Sequence, residues 1–247
     1  MGDKYLQIFL SAENSSIKTF RISPFLSIYM VVKYDYIYVS FSVLENQGFF
    51  GGAVFTTFLN KSDLIPCFDI GIRMNRFFYE YGLEKSNDVY EWLKTIPYTK
   101  LIIGGFGICS GLAYSLYLHM LRLSHCSKVE IVTFGAPRIG NAKLWKLLSK
   151  RISEGKLSVR NYICTNCVYM DPVCLLPKKD DVNEYISNRF SIFVYEGRIM
   201  RSVITQDEQE LSFGDVVSEL GSRIDKNFIQ LWDELHTIRL YRKIKSS

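Results

Sequence analysis

Thr133-Phe134-Gly135-Ala136-Pro137-Arg138-Ile139-Gly140-Asn141 is the stretch whose reading decides the fold. An apolar run, residues 129–132, precedes it, and a helical pattern, residues 142–150, follows it. A short unbroken apolar run reads as a strand buried on both faces, and Gly and Pro punctuate the turn after it. The nine residues therefore form the joint of one β-α unit. The same layout recurs on either side. Residues 101–103 run into a Gly-rich joint and a helix that begins near Ile108, and residues 161–167 read as a strand leading to Asp171-Pro172. Three such units predict an α/β fold, with residues 101–103, 129–132 and 162–164 as adjacent parallel strands.

The joint also resembles the TFGxPRxGN segment of the class 3 lipases, the fungal triacylglycerol lipase type of α/β-hydrolase. The resemblance spans about residues 34–241. It implies an α/β-hydrolase fold, a mostly parallel central sheet flanked by helices, and a Ser-His-Asp triad. Met170-Asp171-Pro172-Val173-Cys174-Leu175-Leu176-Pro177 is similar to the family's DPVPxLPP loop, which makes Asp171 the acid that orients the histidine. A carboxylate beside Pro on a stiff turn suits that task. Residues 231–241 match the C-terminal layout and make His236 the triad histidine. The other two histidines, His119 and His125, lie in or just after the helix that follows Ile108.

The nucleophile departs from the pattern. Where the family has GHSLGGALA, this chain has Gly105-Phe106-Gly107-Ile108-Cys109-Ser110-Gly111-Leu112-Ala113. Without a gap, Gly107 stands at the nucleophile position and the chain has none. Slipped by two residues, Gly107-Ile108-Cys109-Ser110-Gly111 reads as G-x-C-x-G and Cys109 becomes a nucleophile, which a nearby His could activate. The gapless alignment keeps apolar residues at Ile108, Leu112, Leu116 and Met120, and keeps Gly104 and Gly105 from weakening the middle of a central strand. The slipped one explains why Asp171 and His236 remain. Both stay open at this point, with the gapless one favoured.

The oxyanion region is also altered. Residues 34–41 alternate like a strand and resemble the family's strand into FRGT or FRGS, but Ser42-Val43-Leu44 follows. Backbone N–H groups at Leu44 and Ile108 remain as oxyanion donors; the side-chain hydroxyl is lost. Two readings from different classes follow. One is a lipase-fold protein without hydrolase activity that binds a lipid or a protein partner. The other is an acyl-ester hydrolase using Cys109, His236 and Asp171.

At 247 residues, 48% hydrophobic and 15% aromatic, the chain suits one domain, residues 1–247. No apolar run reaches the ~18 residues of a membrane span. The N-terminus has neither a signal-peptide pattern nor a myristoylation site, which points to the cytoplasm. Six cysteines (Cys67, Cys109, Cys126, Cys164, Cys167 and Cys174) read as reduced thiols. Cys164-x-x-Cys167 has no second ligand pair, so no metal is expected, and no cofactor motif is present. The net charge of +5 is scattered, without a nucleic-acid motif. The basic tail at Arg239, Arg242, Lys243 and Lys245 reads as a solvated helix face that could touch acidic headgroups. Residues 69–81 read as a helix, Ser86 as a helix cap, residues 189–204 as a hairpin, and the chain up to about Leu59 as β-rich. The family's lid would fall near residues 45–58, where no lid is recognisable.

Overall fold

A computed structural model describes residues 17–24, 26–43, 53–123, 128–164, 171–177, 185–186, 190–195 and 198–199. Among the described residues, eight strands form one sheet. Its first edge is an antiparallel meander of β1 (Ile17–Ser23), β2 (Leu26–Lys33) and β3 (Tyr36–Val43). The centre is parallel: β3 pairs with β6 (Lys100–Phe106), then come β7 (Val129–Phe134), β8 (Leu157–Cys164) and β9 (Ser191–Tyr195). The short β10 (Arg198–Ile199) closes an antiparallel hairpin on β9. A separate two-stranded hairpin joins β4 (Leu64–Pro66) to β5 (Arg73–Asn75).

β6 and β7 form where the sequence is mostly apolar, because both of their faces are covered. Every residue of β7 is buried. Its alternate side chains feed two cores. Val129 and Ile131 face the larger one, and Val132 and Phe134 face a smaller one with Tyr38, Ile102, Tyr162 and Val194. Five described helices carry the larger core: α1 (Ala53–Asn60), α2 (Arg76–Glu84), α3 (Ser86–Lys94), α4 (Cys109–Arg122) and α5 (Ala142–Ser153). α4 is its centre. It buries twelve of its residues and is packed against by α2 at Gly111, where an added Cβ would lie 2.5 Å from the Phe78 ring.

Several local expectations change. The helix expected over residues 69–81 starts only at Arg76. Gly71, at φ +81°, turns the chain, and the Asn75 side chain caps α2 by accepting from the Phe78 N–H at 3.3 Å. The β-rich stretch ends before α1, whose Val54, Phe55 and Phe58 recur on one helical face and are buried. Ser86 caps nothing ahead of it; its hydroxyl donates back to the Leu83 carbonyl at 2.8 Å. β8 starts at Leu157, before the expected Asn161.

Candidate active site

β6 runs through both Gly104 and Gly105 to Phe106, paired to β3 as far as Gly105 and to β7 as far as Phe106. The expectation that in-strand glycines would argue against one alignment is thereby removed: both glycines lie in a central strand. Gly105 is required there, since an added Cβ would lie 2.6 Å from the Cys109 carbonyl carbon. Only a residue without a side chain lets strand and helix meet so closely.

The chain then turns sharply. Gly107 has φ +57° and donates its N–H to the Phe134 carbonyl at 2.8 Å. Ile108 is already helical, and Cys109 is the first residue of α4. The turn is fastened by the Ser110 hydroxyl, which donates to the Gly105 carbonyl at 2.8 Å. Gly107 thus occupies the tip of a strand-turn-helix elbow. Cys109 lies behind it, 2% exposed, in the larger core. Burial pushes its thiol up to about 12. A thiol so placed stays protonated at neutral pH, the opposite of a reactive cysteine. Ile108, the second oxyanion candidate, is 1% exposed beside the tip.

The TFGAPRIGN joint repeats the construction one strand along. Gly135, at φ +63°, donates its N–H to the Tyr162 carbonyl at 2.8 Å. Asn161 holds the joint open: its Oδ1 accepts from the Thr133 hydroxyl at 3.0 Å and from the Ala136 N–H at 3.2 Å. Asn141 caps α5 and donates from Nδ2 to the Gly71 carbonyl at 2.9 Å. Arg138 reaches the next loop, donating its N–H to the Leu176 carbonyl at 2.6 Å and a guanidinium N–H to the Pro177 carbonyl at 3.3 Å. Nothing in the bare order of residues assigned Asn161 a role, although an Asn inside an apolar run was the available signal.

That next loop carries Asp171, which is fully buried. Its N–H donates to the Cys164 carbonyl at 2.9 Å, fixing it at the end of β8. Its Oδ1 accepts from the Val173 N–H at 3.0 Å, capping the short 3-10 turn Pro172–Leu175. Burial, and then the Asp171 charge, push the neighbouring Cys174 thiol well above its ordinary value. The elbow, the Gly135 joint and the Asp171 loop are therefore at the carboxyl ends of three successive parallel strands, where sites in open α/β sheets assemble.

His236 and Leu44 lie outside the described residues, as do Cys126 and Cys167. His119 is not part of this end of the sheet. It sits near the C-terminus of α4, with Nε2 2.9 Å from the Asn87 side-chain oxygen, and burial lowers its pKa, with Arg122 adding to the effect. Among the described residues no group of three or more His, Cys, Asp or Glu side chains converges as a metal site. None of the described helices is long and apolar enough to cross a membrane.

Solved structures share this fold. A fungal lipase superposes with a TM-score of 0.54 over 79% of this chain and 75% of its own, at 14% identity. A point mutant of MDLA from Penicillium cyclopium gives 0.58 over 96% and 84%, at 16% identity. The Lip2 lipase from Yarrowia lipolytica gives 0.54 over 75% and 67%, also at 16%. The chain has the fungal-lipase fold. At such identities the likeness is one of backbone architecture. No protein-family profile matches the chain, and no curated sequence is significantly similar to it.

Proposed function

We propose that this lipase-fold protein binds an acyl lipid without hydrolysing it. The observation that carries the reading is Gly107: the tip of the elbow, at φ +57°, bears no side chain to attack an ester. The neighbouring thiol offers no substitute, since Cys109 is buried and held protonated. Removing the nucleophile of a serine hydrolase can cost about six orders of magnitude in kcat, which leaves binding as what the fold can still do. Retention of Asp171 at the end of β8 is accounted for by its structural work, since it caps the Pro172–Leu175 turn.

The test uses purified protein, a short-chain p-nitrophenyl ester, an emulsified triacylglycerol and a non-hydrolysable alkyl ether lipid. Saturable binding of the ether lipid with no ester turnover is expected. Turnover that Cys109→Ala abolishes establishes the cysteine hydrolase instead. Gly107→Ser supplies a hydroxyl at the tip. Weak turnover in that variant, and none in the parent, supports the gapless alignment; turnover in the parent that Gly107→Ser impairs contradicts it.

A further inference from the structure

The hairpin between β4 and β5 ends in the most exposed large apolar side chain of the described residues, Ile70, at 94%. Its turn is rigid. The Asp69 side chain accepts from the Ile70 N–H at 2.7 Å, and the Ile72 N–H donates to the Asp69 carbonyl at 3.0 Å. Ile70 is therefore held outward while Ile72 and Cys67 on either side are buried.

The tip is fastened to the start of α5. Asn141 donates to the Gly71 carbonyl at 2.9 Å, accepts from the Arg73 N–H at 3.3 Å, and donates its own N–H to the Arg73 carbonyl at 3.2 Å. The Lys143 side chain lies over Gly71, where an added Cβ would strike its ammonium. α5 then carries Lys143, Lys146 and Lys150, all exposed, at spacings of three and four residues. That spacing puts them on one helical face. Exposed Arg73 is tied to the start of this helix by its backbone bonds to Asn141. Among the described residues none of these four cations has an ion-pair partner. Asp69 is the carboxylate at the tip, and Glu154, beyond the far end of α5, is paired to Arg151 and Lys156.

This stripe breaks a local rule. Lys143 sits in the first turn of α5, where the helix dipole disfavours a cation and where no acidic residue is present. Natural proteins break such local rules mostly at functional surfaces. An apolar pin flanked by unpaired cations matches a bilayer with anionic headgroups: the pin enters the acyl boundary while the lysines face the phosphates. A nucleic-acid backbone would use the cations and leave Ile70 unburied. The hairpin adjoins the Gly135 joint through the Asn75 N–H, which donates to the Ile139 carbonyl at 2.9 Å, so the hairpin and the first turn of α5 lie at the same end of the sheet as the elbow.

We infer that the β4–β5 hairpin tip and the lysine face of α5 dock the protein on anionic membrane surfaces. Docking of this kind does not depend on what the elbow binds or whether it reacts. The test is sedimentation of the intact protein with phosphatidylcholine vesicles, with and without about a third phosphatidylserine. Binding to the anionic vesicles alone is expected, weakening as salt rises. The Lys143→Gln, Lys146→Gln, Lys150→Gln triple variant loses affinity on the order of 100-fold, at about fivefold per lysine. Ile70→Ser loses about tenfold. The control alters an equally exposed aromatic and its cation at the opposite end of the sheet: Lys33→Glu with Tyr34→Asn, which leaves binding unchanged. Equal binding to neutral vesicles, retention by the triple variant, or equal loss in the control overturns the assignment. So does binding of a duplex oligonucleotide to the stripe without vesicle binding. Thermal melts confirm that each variant is folded, and binding of monomeric ether lipid at the elbow, unaltered in these variants, separates this surface from that site.

Discussion

Gly105→Ala is the substitution whose cost the geometry fixes most sharply. The new methyl would meet the Cys109 carbonyl carbon and oxygen at 2.6 Å and the Ser110 nitrogen at 2.9 Å. Ordinary contacts of a Cβ begin near ~3.4 Å, so strand and helix must separate by most of an ångström. No rotamer change relieves this, because every atom struck is backbone. β6 cannot move alone either: Gly105 is paired to Phe41 on one side and Thr133 on the other. Overpacking of a core typically costs about 1–3 kcal/mol, and an obstacle made only of backbone belongs at the top of that range, about 3 kcal/mol. Gly155→Ala is the internal reference. Gly155 has a positive φ, +69°, which Gly105 does not, but nothing lies within 4 Å of an added Cβ. Its cost is the left-handed backbone alone, about 1–2 kcal/mol, partly offset by a stiffer unfolded chain, so about 1 kcal/mol net. Urea unfolding followed by tryptophan fluorescence, with equal m-values, compares the two directly. A Gly105→Ala midpoint no lower than that of Gly155→Ala would falsify the close approach of strand and helix at the elbow.

Cys109 labels with a thiol reagent at neutral pH only as fast as the protein unfolds; rapid labelling of the native state places the sulfur at the surface. Alkaline stability follows from the same burial. Folded Cys67 and Cys109 are both pushed up to about 12 from an ordinary value of 9.0. Their contribution is complete below pH ~9, where both states hold the proton, and is lost as pH rises towards 12, because only the unfolded chain releases protons there. Urea midpoints should fall across that window, and less steeply in Cys109→Ala; a flat profile contradicts the burial. Glu130→Gln leaves Lys100 and Arg160 facing a neutral amide in the sheet. Since those two side chains are 23% and 29% exposed and can turn towards water, the loss is about 1–3 kcal/mol rather than that of a stranded buried charge. Asn161→Ala removes the acceptor for the Ala136 N–H and the Thr133 hydroxyl and costs about 2–3 kcal/mol by urea unfolding; a loss under half a kcal/mol would mean that the joint does not depend on it.

β6 and β7 were legible because they are covered on both faces and so are written as mostly apolar runs. The three loops at the carboxyl ends of β6, β7 and β8 were legible because Gly, Pro and Asp mark turns. α1 was not, since its eight residues are too few to establish a helical period beside aromatic residues that also suit strands. Glu130 passed unnoticed inside an apolar run. Its partners Lys100 and Arg160 stand about thirty residues away on either side, and only the strand register brings the three together. Gly105 was misjudged because propensity treats an in-strand glycine as a weakness. The approach of α4 makes it a requirement, and a helix crossing at that distance leaves no trace in strand composition.

Gly107 joins the elbow's two physical demands in a way that explains how they separate. The turn needs a residue at positive φ whose N–H reaches the Phe134 carbonyl. On the proposed reading, ester hydrolysis would need a nucleophilic side chain on that same residue. Any side chain there costs about 1–2 kcal/mol of backbone strain, a cost that persists in an enzyme only because the reaction depends on it. Glycine satisfies the turn without strain. On the proposed reading, a lipase-fold chain freed from hydrolysis relaxes at this one position and keeps everything the turn supports: the Ser110 bond to Gly105, the buried start of α4, and the Asp171 cap on its own loop. That strain also sets the sign of a final experiment. Gly107→Ser should be less stable than the parent by about 1–2 kcal/mol whether or not it gains activity. A Gly107→Ser protein as stable as the parent means that the backbone at the tip is not held in the left-handed region, and strain then has no part in why glycine stands at the tip of the elbow.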